Sequence, residues 1–279
     1  MIRGLPRLRR LTTALGALFC ASAAHALEID LQPTTIEVPS EPGGRIQQVF
    51  TVSNRGGEDA IGLTIGLADW TLAQDGDLKL LPPGSEASSA SDWIVFSPVF
   101  IELGPGQTRR ILVDIAVPQD AAPRGTYRAA LLASAVEPDR RAGAEGALRK
   151  HQIASLLYLT GPEAHSQPLV QGVEAVRLPD GKPALALRVE NTGSAHARLE
   201  GNIRIQGSGE PVEFPVSNLV VLPDSVRTFT VPLAPPLPDR ASATISFRNI
   251  FAPQAPGNTE LLPVYTAPLP FPADTPARR

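Results

Sequence analysis

Along much of the chain, apolar residues occupy every second position. The clearest case is residues 61–68, where Ile and Leu alternate with Gly, Thr and Ala. Residues 111–117 show the same period, with Asp114 in the more polar set. A period of two is that of a β-strand with one buried face. No long stretch repeats an apolar residue every three or four positions, as an amphipathic helix would, so the pattern predicts an all-β protein.

Proline and glycine separate these apolar runs. The chain has 29 prolines and 23 glycines, and they fall between the runs rather than in one tract. This distribution is typical of many short strands joined by tight turns. Pro33 separates two short alternating segments, residues 29–31 and 36–38. A proline at that place predicts an edge strand that passes from one sheet to another.

The second half of the chain repeats the first in outline. FTVSNRG at Phe50 has an echo in LRVENTG at Leu187, and LGPGQTRRILVDI at Leu103 has one in VLPDSVRTFTVPL at Val221. The chain is also longer than one β-sandwich of about 100 residues and suits two. The prediction is a first domain at residues 27–163, a second at 164–265 and a disordered Pro-rich tail at 266–279. The strands expected in the second domain are residues 185–189, 199–205, 214–221, 226–233 and 243–247.

The first 26 residues have the pattern of a signal peptide. Four arginines precede an apolar stretch at residues 11–21, and Ala24, His25 and Ala26 form an A-x-A cleavage site. Cys20 is the only cysteine, so the mature chain from Leu27 would have neither a disulfide nor a thiolate metal site. We therefore expect a periplasmic protein that is not stably inserted in a membrane after cleavage. The net charge is −3 with dispersed basic residues, which does not favour nucleic acid as a partner.

No set of residues in the sequence has the spacing of a catalytic or metal site. His151, His165 and His196 do not share the spacing of a metal motif, and Gly207-Ser208-Gly209 lacks the spacing of a nucleophile elbow. The segment Gln74-Asp75-Gly76-Asp77 favours a hairpin turn over a calcium site. Catalytic residues, metal ions and cofactors are therefore not predicted. Trp70 and Trp93 favour burial in a core over a carbohydrate-binding face.

Residues 92–117 carry a resemblance to a known family. An apolar run, Ser-Pro, an apolar pair and then Pro-Gly-Gln followed by Arg are similar to the first domain of the periplasmic pilus-assembly chaperones. The resemblance implies two immunoglobulin-like β-sandwiches and a protein that holds subunits by β-strand addition. It also implies pilus or surface-fibre subunits as partners, with an outer-membrane usher as a further partner.

The resemblance implies a binding site that this chain matches only in part. In the family, an arginine on the first strand and a lysine on the last strand of domain one bind the subunit's terminal carboxylate. By register these positions fall at Thr35 and Ser155, and neither is basic. Arg149 and Lys150 lie nearby, either to bind that carboxylate or to block self-pairing of the edge. The expected subunit-binding residues are Thr35, Leu148, Lys150, Ile153, Ser155 and Leu157.

Three functions are compatible with these features. The first is a non-catalytic periplasmic chaperone that caps pilus or surface-fibre subunits, with the strand at residues 153–159 and the preceding loop as its working part. The second is a structural or adhesive immunoglobulin-like component of a surface fibre. The third is a sugar-binding module that uses the two tryptophans. Binding that depends on a client subunit would distinguish the first function from the others.

Overall fold

The computed structural model describes residues 28–56, 59–138, 146–233, 241–251 and 260–269. These residues form 18 strands and one short 3₁₀ turn at Ser91–Trp93, and they contain no α-helix. The strands of the first half are β1 (Ile29–Gln32), β2 (Thr35–Pro39), β3 (Arg45–Asn54), β4 (Ile61–Leu72), β5 (Leu78–Leu81), β6 (Ile94–Ser97), β7 (Phe100–Leu103), β8 (Thr108–Ala116), β9 (Thr126–Pro138) and β10 (Leu148–Thr160). Those of the second half are β11 (Pro168–Arg177), β12 (Pro183–Asn191), β13 (Ala197–Gln206), β14 (Val212–Val221), β15 (Ser225–Pro232), β16 (Ala241–Asn249), β17 (Glu260–Leu261) and β18 (Tyr265–Leu269).

Each half of the chain builds one β-sandwich. In the first, the sheet β1-β3-β8-β6 packs on the sheet β2-β10-β9-β4-β5, with β7 also paired to β4. In the second, the sheet β11-β12-β15 packs on the sheet β14-β13-β16, and β17 and β18 both pair with β16. The architecture confirms the predicted fold class of two immunoglobulin-like β-sandwiches.

Pro33 marks a change of sheet at the start of the chain. β1 pairs antiparallel with β3, whereas β2 pairs parallel with β10 in the opposite sheet. The Gln32–Pro33 peptide bond between β1 and β2 is cis. The predicted strand that switches sheets is therefore confirmed.

The alternating residues of the first half line its core. Ile111, Val113 and Ile115 point inward from β8, and Leu63 points inward from β4. Leu112, between two of these residues, is exposed on the outer face. The period of two thus places one face of each strand in the core and the other in water.

The second sandwich differs from its prediction at both ends. β11 begins at Pro168, directly after the connection at residues 161–167. No strand was predicted for the residues of β11. β18 continues to Leu269, whose side chain is buried in the second core, so the predicted tail would begin inside a strand. The boundaries at 163 and 265 stay predictions. Residues 1–26 and 270–279, the predicted signal peptide and the rest of the tail, lie outside the described residues.

None of the helical structure in the described part of the chain is long and apolar enough to span a membrane.

Candidate partner-binding edge and interdomain cleft

β10 has one side that is only partly covered. β9 pairs with it along its whole length, from Leu148 opposite Pro138 to Thr160 opposite Thr126. β2 covers the other side only from Leu156 to Thr160. No further strand of the described ranges pairs with β10. Residues 148–155 therefore form a strand edge without a neighbour in the described structure, which we call the open edge.

Alternate residues of the open edge direct their main-chain groups outward. The N–H of Leu156 donates to the carbonyl of Thr34 at 3.0 Å, on the side of β10 away from β9. Because N–H and C=O groups of every second residue point to the same side of a strand, those of Leu148, Lys150, Gln152 and Ala154 point that way too. The open edge spans roughly 26 Å at about 3.3 Å per residue. Such an edge is a template for an added strand.

An apolar surface lies beside the open edge. Leu148 is 70% exposed, and exposed Val136 lies on β9 opposite Lys150, on the same face of the sheet. Exposed Phe100 on β7 lies on this face as well, but β4 and β9 separate it from β10. We call Val136 and Leu148 the apolar face. A partner strand added to the open edge would bring its own side chains against this surface.

The predicted subunit-binding residues divide between two faces of β10. Leu148 and Lys150 are exposed on the side of the apolar face, and their role in binding stays a prediction. Ile153 packs against the first core and Leu157 is 0% exposed within it. Ser155 is buried as well. The alternation of β10 turns the side chains of Ser155 and Leu157 into the sandwich, away from an added strand, and their role in client binding stays a prediction.

Thr35 and Ser155 lie close together, but they do not form an anion site. Thr35 is the partner of Leu156 in the β2–β10 pairing. The hydroxyl of Ser155 donates to the carbonyl of Pro33 at 2.6 Å, and the N–H of Leu156 is taken by Thr34. Both of these donors already bond to carbonyl oxygens. A carboxylate placed at this end of the open edge would therefore face those two carbonyl oxygens without a donor to bind it.

A charged group in the cleft between the sandwiches was not predicted from the sequence. Glu37 on β2 accepts hydrogen bonds at Oε1 from Arg198 Nε at 3.0 Å and from Arg198 Nη2, and His196 Nε2 lies 3.3 Å from the same oxygen. Glu37 and Arg198 are 161 residues apart, and no local motif links them. The contact joins the edge strand of the first sandwich to the start of β13 in the second.

Burial and the neighbouring charges shift the pKa values of His196 and Glu37 in opposite directions. His196 is 0% exposed, stacked on Phe251 at 3.8 Å and beside Tyr158 at 4.3 Å between ring centroids. Burial lowers the pKa of His196, although the Glu37 carboxylate opposes this shift. For Glu37, burial would raise the pKa, but the hydrogen bonds and charges of His196 and Arg198 outweigh it and hold the pKa below its usual value. The favoured state is a Glu37 carboxylate that accepts a hydrogen bond from a neutral His196 imidazole.

Trp70 is buried where the two sandwiches meet. It is 1% exposed, and its Nε1–H donates to the carbonyl of Ala129 at 2.9 Å. Val220 and Leu222 of the second sandwich pack in the same apolar cluster. Burial of Trp70 is thus confirmed, and this ring cannot stack on a sugar in the observed conformation. Trp93 is half-buried against Tyr127, with ring centroids 4.3 Å apart.

The hairpin between β4 and β5 has the predicted Asp-Gly turn, with the N–H of Gly76 bonded to the carbonyl of Ala73 at 2.9 Å. The carbonyl of Gln74 at its tip accepts a bond of 2.8 Å from the N–H of Thr228 on β15. The hairpin therefore forms a further contact between the sandwiches. Within the described ranges, no three His, Cys, Asp or Glu side chains are grouped so that they could hold a metal ion.

No protein-family model and no curated protein matches the sequence. Solved structures of fimbrial chaperones do match it. Class 5 fimbriae chaperone CfaA is 11% identical, with 84% of this chain and 97% of that chain covered and a TM-score of 0.45. The CsuC–CsuE chaperone–tip adhesion subunit complex of Acinetobacter baumannii Csu pili gives 11% identity, 84% and 98% coverage and a TM-score of 0.44. Chaperone CupB2 of Pseudomonas aeruginosa gives 10% identity, 87% and 100% coverage and a TM-score of 0.42. At these values, function has to be derived from the residues of this chain.

Proposed function

We propose that this protein is a non-catalytic periplasmic chaperone that caps pilus or surface-fibre subunits by β-strand addition. The observation that supports this proposal most directly is the open edge at residues 148–155, which lies next to an exposed apolar face. The client would be a β-sandwich subunit with an unpaired edge of its own. An outer-membrane usher would receive the subunit from the complex.

Main-chain pairing would supply most of the affinity. Four outward N–H and C=O pairs of the open edge can bond a client strand whatever its side chains are. Contacts with the apolar face would then select clients whose alternate residues are apolar. This division of roles agrees with the absence of a basic residue at Thr35 and Ser155.

Exposed charges explain how an open edge stays available. Arg149 and Lys150 are both exposed near its first residue. Charged side chains on an edge strand hinder pairing between two copies of the same chain, while a client with complementary side chains can still bind. A protein that served only as a spacer would gain nothing from an edge kept free in this way.

The experiment is co-purification of the mature chain with pilus or fibre subunits of the same organism, including any that a neighbouring gene encodes. Gln152→Pro removes one outward N–H without breaking a bond to β9, so the fold should remain and binding should be lost. Gln152→Ala is the matched control, because it removes the same side chain but keeps the N–H. Circular dichroism and thermal unfolding would show that both variants are folded.

Two results would contradict the proposal. If none of these subunits binds the wild-type chain, the chaperone function is wrong. If Gln152→Pro binds a subunit as tightly as Gln152→Ala, strand addition at the open edge is wrong.

A further inference from the structure

The length of the open edge depends on β2. β2 is the outermost strand of its sheet and, in the described structure, pairs only with β10. Its first residue, Thr35, lies opposite Leu156, so the open edge ends at Ser155. If β2 left its place, residues 156–160 would also lose their partner on that side. β2 thus acts as a stop that limits how far an added strand can extend.

The two faces of β2 are held by different domains. Ile36 and Val38 pack against the core of the first sandwich. Glu37, between them, points the other way and lies beside Tyr158, its pairing partner on β10. Its carboxylate is bound by Arg198 and His196, which belong to the second sandwich.

Arg198 is itself fixed by its own domain. Its Nη1 donates to Asn218 Oδ1 on β14, and its backbone N–H donates to Asn249 Oδ1 at 3.0 Å on β16. The Arg198 side chain is only 19% exposed, so solvent screens its contact with Glu37 less than a surface pair. Because the guanidinium is bonded to β14 and the Arg198 backbone is bonded to β16, Glu37 has a fixed partner rather than a mobile one.

We propose that Arg198 and His196 are positioning residues of the second sandwich that hold β2 on β10 through Glu37 and so set the end of the open edge. The second sandwich therefore does more than accompany the first, because it determines how many residues of β10 a partner strand can reach. The effect on client binding rests on the proposed function. The hold on β2 is a property of the chain alone and can be measured without a client.

The test is hydrogen exchange of the mature chain, resolved to single amides. Arg198→Met and Glu37→Gln each remove the charged contact. The Leu156 amide, which bonds to Thr34, should exchange about tenfold faster or more in both variants, because β2 detaches more often. The amides of Leu157 and Leu159 point to β9 and should keep the wild-type rate.

Arg248→Met is the matched control, since Arg248 pairs with Glu200 inside the second sandwich and does not reach β2. It should leave the exchange of Leu156 unchanged. Wild-type exchange at Leu156 in Arg198→Met and Glu37→Gln would overturn the inference. Equal acceleration at Leu156, Leu157 and Leu159 would overturn it too, because the whole domain would then have been destabilised.

A second measurement, made with a bound client, distinguishes this inference from the proposed function. With a subunit that co-purifies, protection of the outward amides should end before Leu156 in the wild type and extend beyond it in Arg198→Met. Failure of every subunit to bind would refute the chaperone function but not the hold on β2. Protection that ends at the same residue in both proteins would refute the role of Arg198 in setting the edge.

Discussion

Trp70 on β4 and Tyr158 on β10 meet edge to face, with ring centroids 4.9 Å apart, on the face of their sheet that is turned to the second sandwich. β9 lies between their strands and receives the hydrogen bond of the Trp70 indole. Burial raises the pKa of the Tyr158 hydroxyl to about 12, so this group stays neutral at physiological pH. The pair therefore supports both the sheet that carries the open edge and its contact with the second sandwich.

Trp70→Ala should lower the free energy of unfolding by about 3–5 kcal/mol, the usual cost of deleting a large buried aromatic side chain. Denaturant unfolding followed by circular dichroism measures it. Val95→Ala is the control, since Val95 is 71% exposed and its loss should change stability by no more than about 0.5 kcal/mol. Equal effects of the two substitutions would mean that Trp70 does not support the fold.

Ile111→Asp should unfold the first sandwich, whereas Leu112→Asp should leave it folded. Ile111 is fully buried, and an unpaired carboxylate there costs several kcal/mol, on the order of the whole stability of a domain. Leu112 is the next residue of the same strand and is 54% exposed. Leu63→Asp, also at a fully buried position, should act like Ile111→Asp. If thermal unfolding showed that Leu112→Asp rather than Ile111→Asp destabilises the protein, the inner and outer faces of β8 would have been assigned the wrong way round.

These face assignments could be made from the sequence because alternation is a local property. β4 and β8 each have one face in the core and one outside it, so their apolar residues recur with a period of two. The change of sheet at Pro33 could be predicted for the same reason, since a proline lacks the N–H that a continuous ladder requires.

The end of β10 shows why the candidate site was harder to predict. Leu156, Leu157, Tyr158 and Leu159 are consecutive apolar residues. One set packs in the first core and the other faces the second sandwich, so both faces are covered and the alternation disappears. Nothing in that run distinguishes inward Leu157 from its neighbours. The contact of Glu37 with Arg198 depends on how two domains meet, which local sequence does not encode.

The stability of the protein should depend on the ionisation of His196. Its pKa in the folded protein lies below the usual 6.5 because burial disfavours the imidazolium. The unfolded chain therefore binds the proton more tightly, so the contribution of His196 is present above about pH 6.5 and is lost as the pH falls through the folded pKa. The free energy of unfolding should decrease between about pH 7.5 and about pH 5.5.

His196→Gln should reduce this decrease, because the variant has no imidazole to titrate. His165→Gln, in which an exposed ring is replaced, should behave as the wild type does. For each protein, the measured quantity is the difference between the free energies of unfolding at the two pH values. A general loss of stability in His196→Gln does not affect this difference. The same pH dependence in all three proteins would show that His196 does not cause the loss of stability at low pH.

Leu148→Asp and Leu157→Asp should have different consequences although both residues belong to β10. Leu148 is exposed beside the open edge, so its substitution should leave thermal unfolding unchanged and weaken client binding roughly ten- to a hundredfold, the equivalent of one buried leucine. Leu157 lies in the core, so Leu157→Asp should unfold the first sandwich.

Thr35→Ala and Ser155→Ala test the same mechanism from the other end of the edge. If affinity comes from main-chain pairing and the apolar face, neither hydroxyl contributes directly, and both variants should bind a client nearly as the wild type does. Ser155→Ala should still lose about 1–3 kcal/mol of stability, because the carbonyl of Pro33 loses its buried donor. Co-purification and calorimetry of each folded variant with its client would measure these effects. Essential hydroxyls at Thr35 or Ser155, together with tolerance of a charge at Leu148, would show that a polar anchor rather than the open edge determines binding.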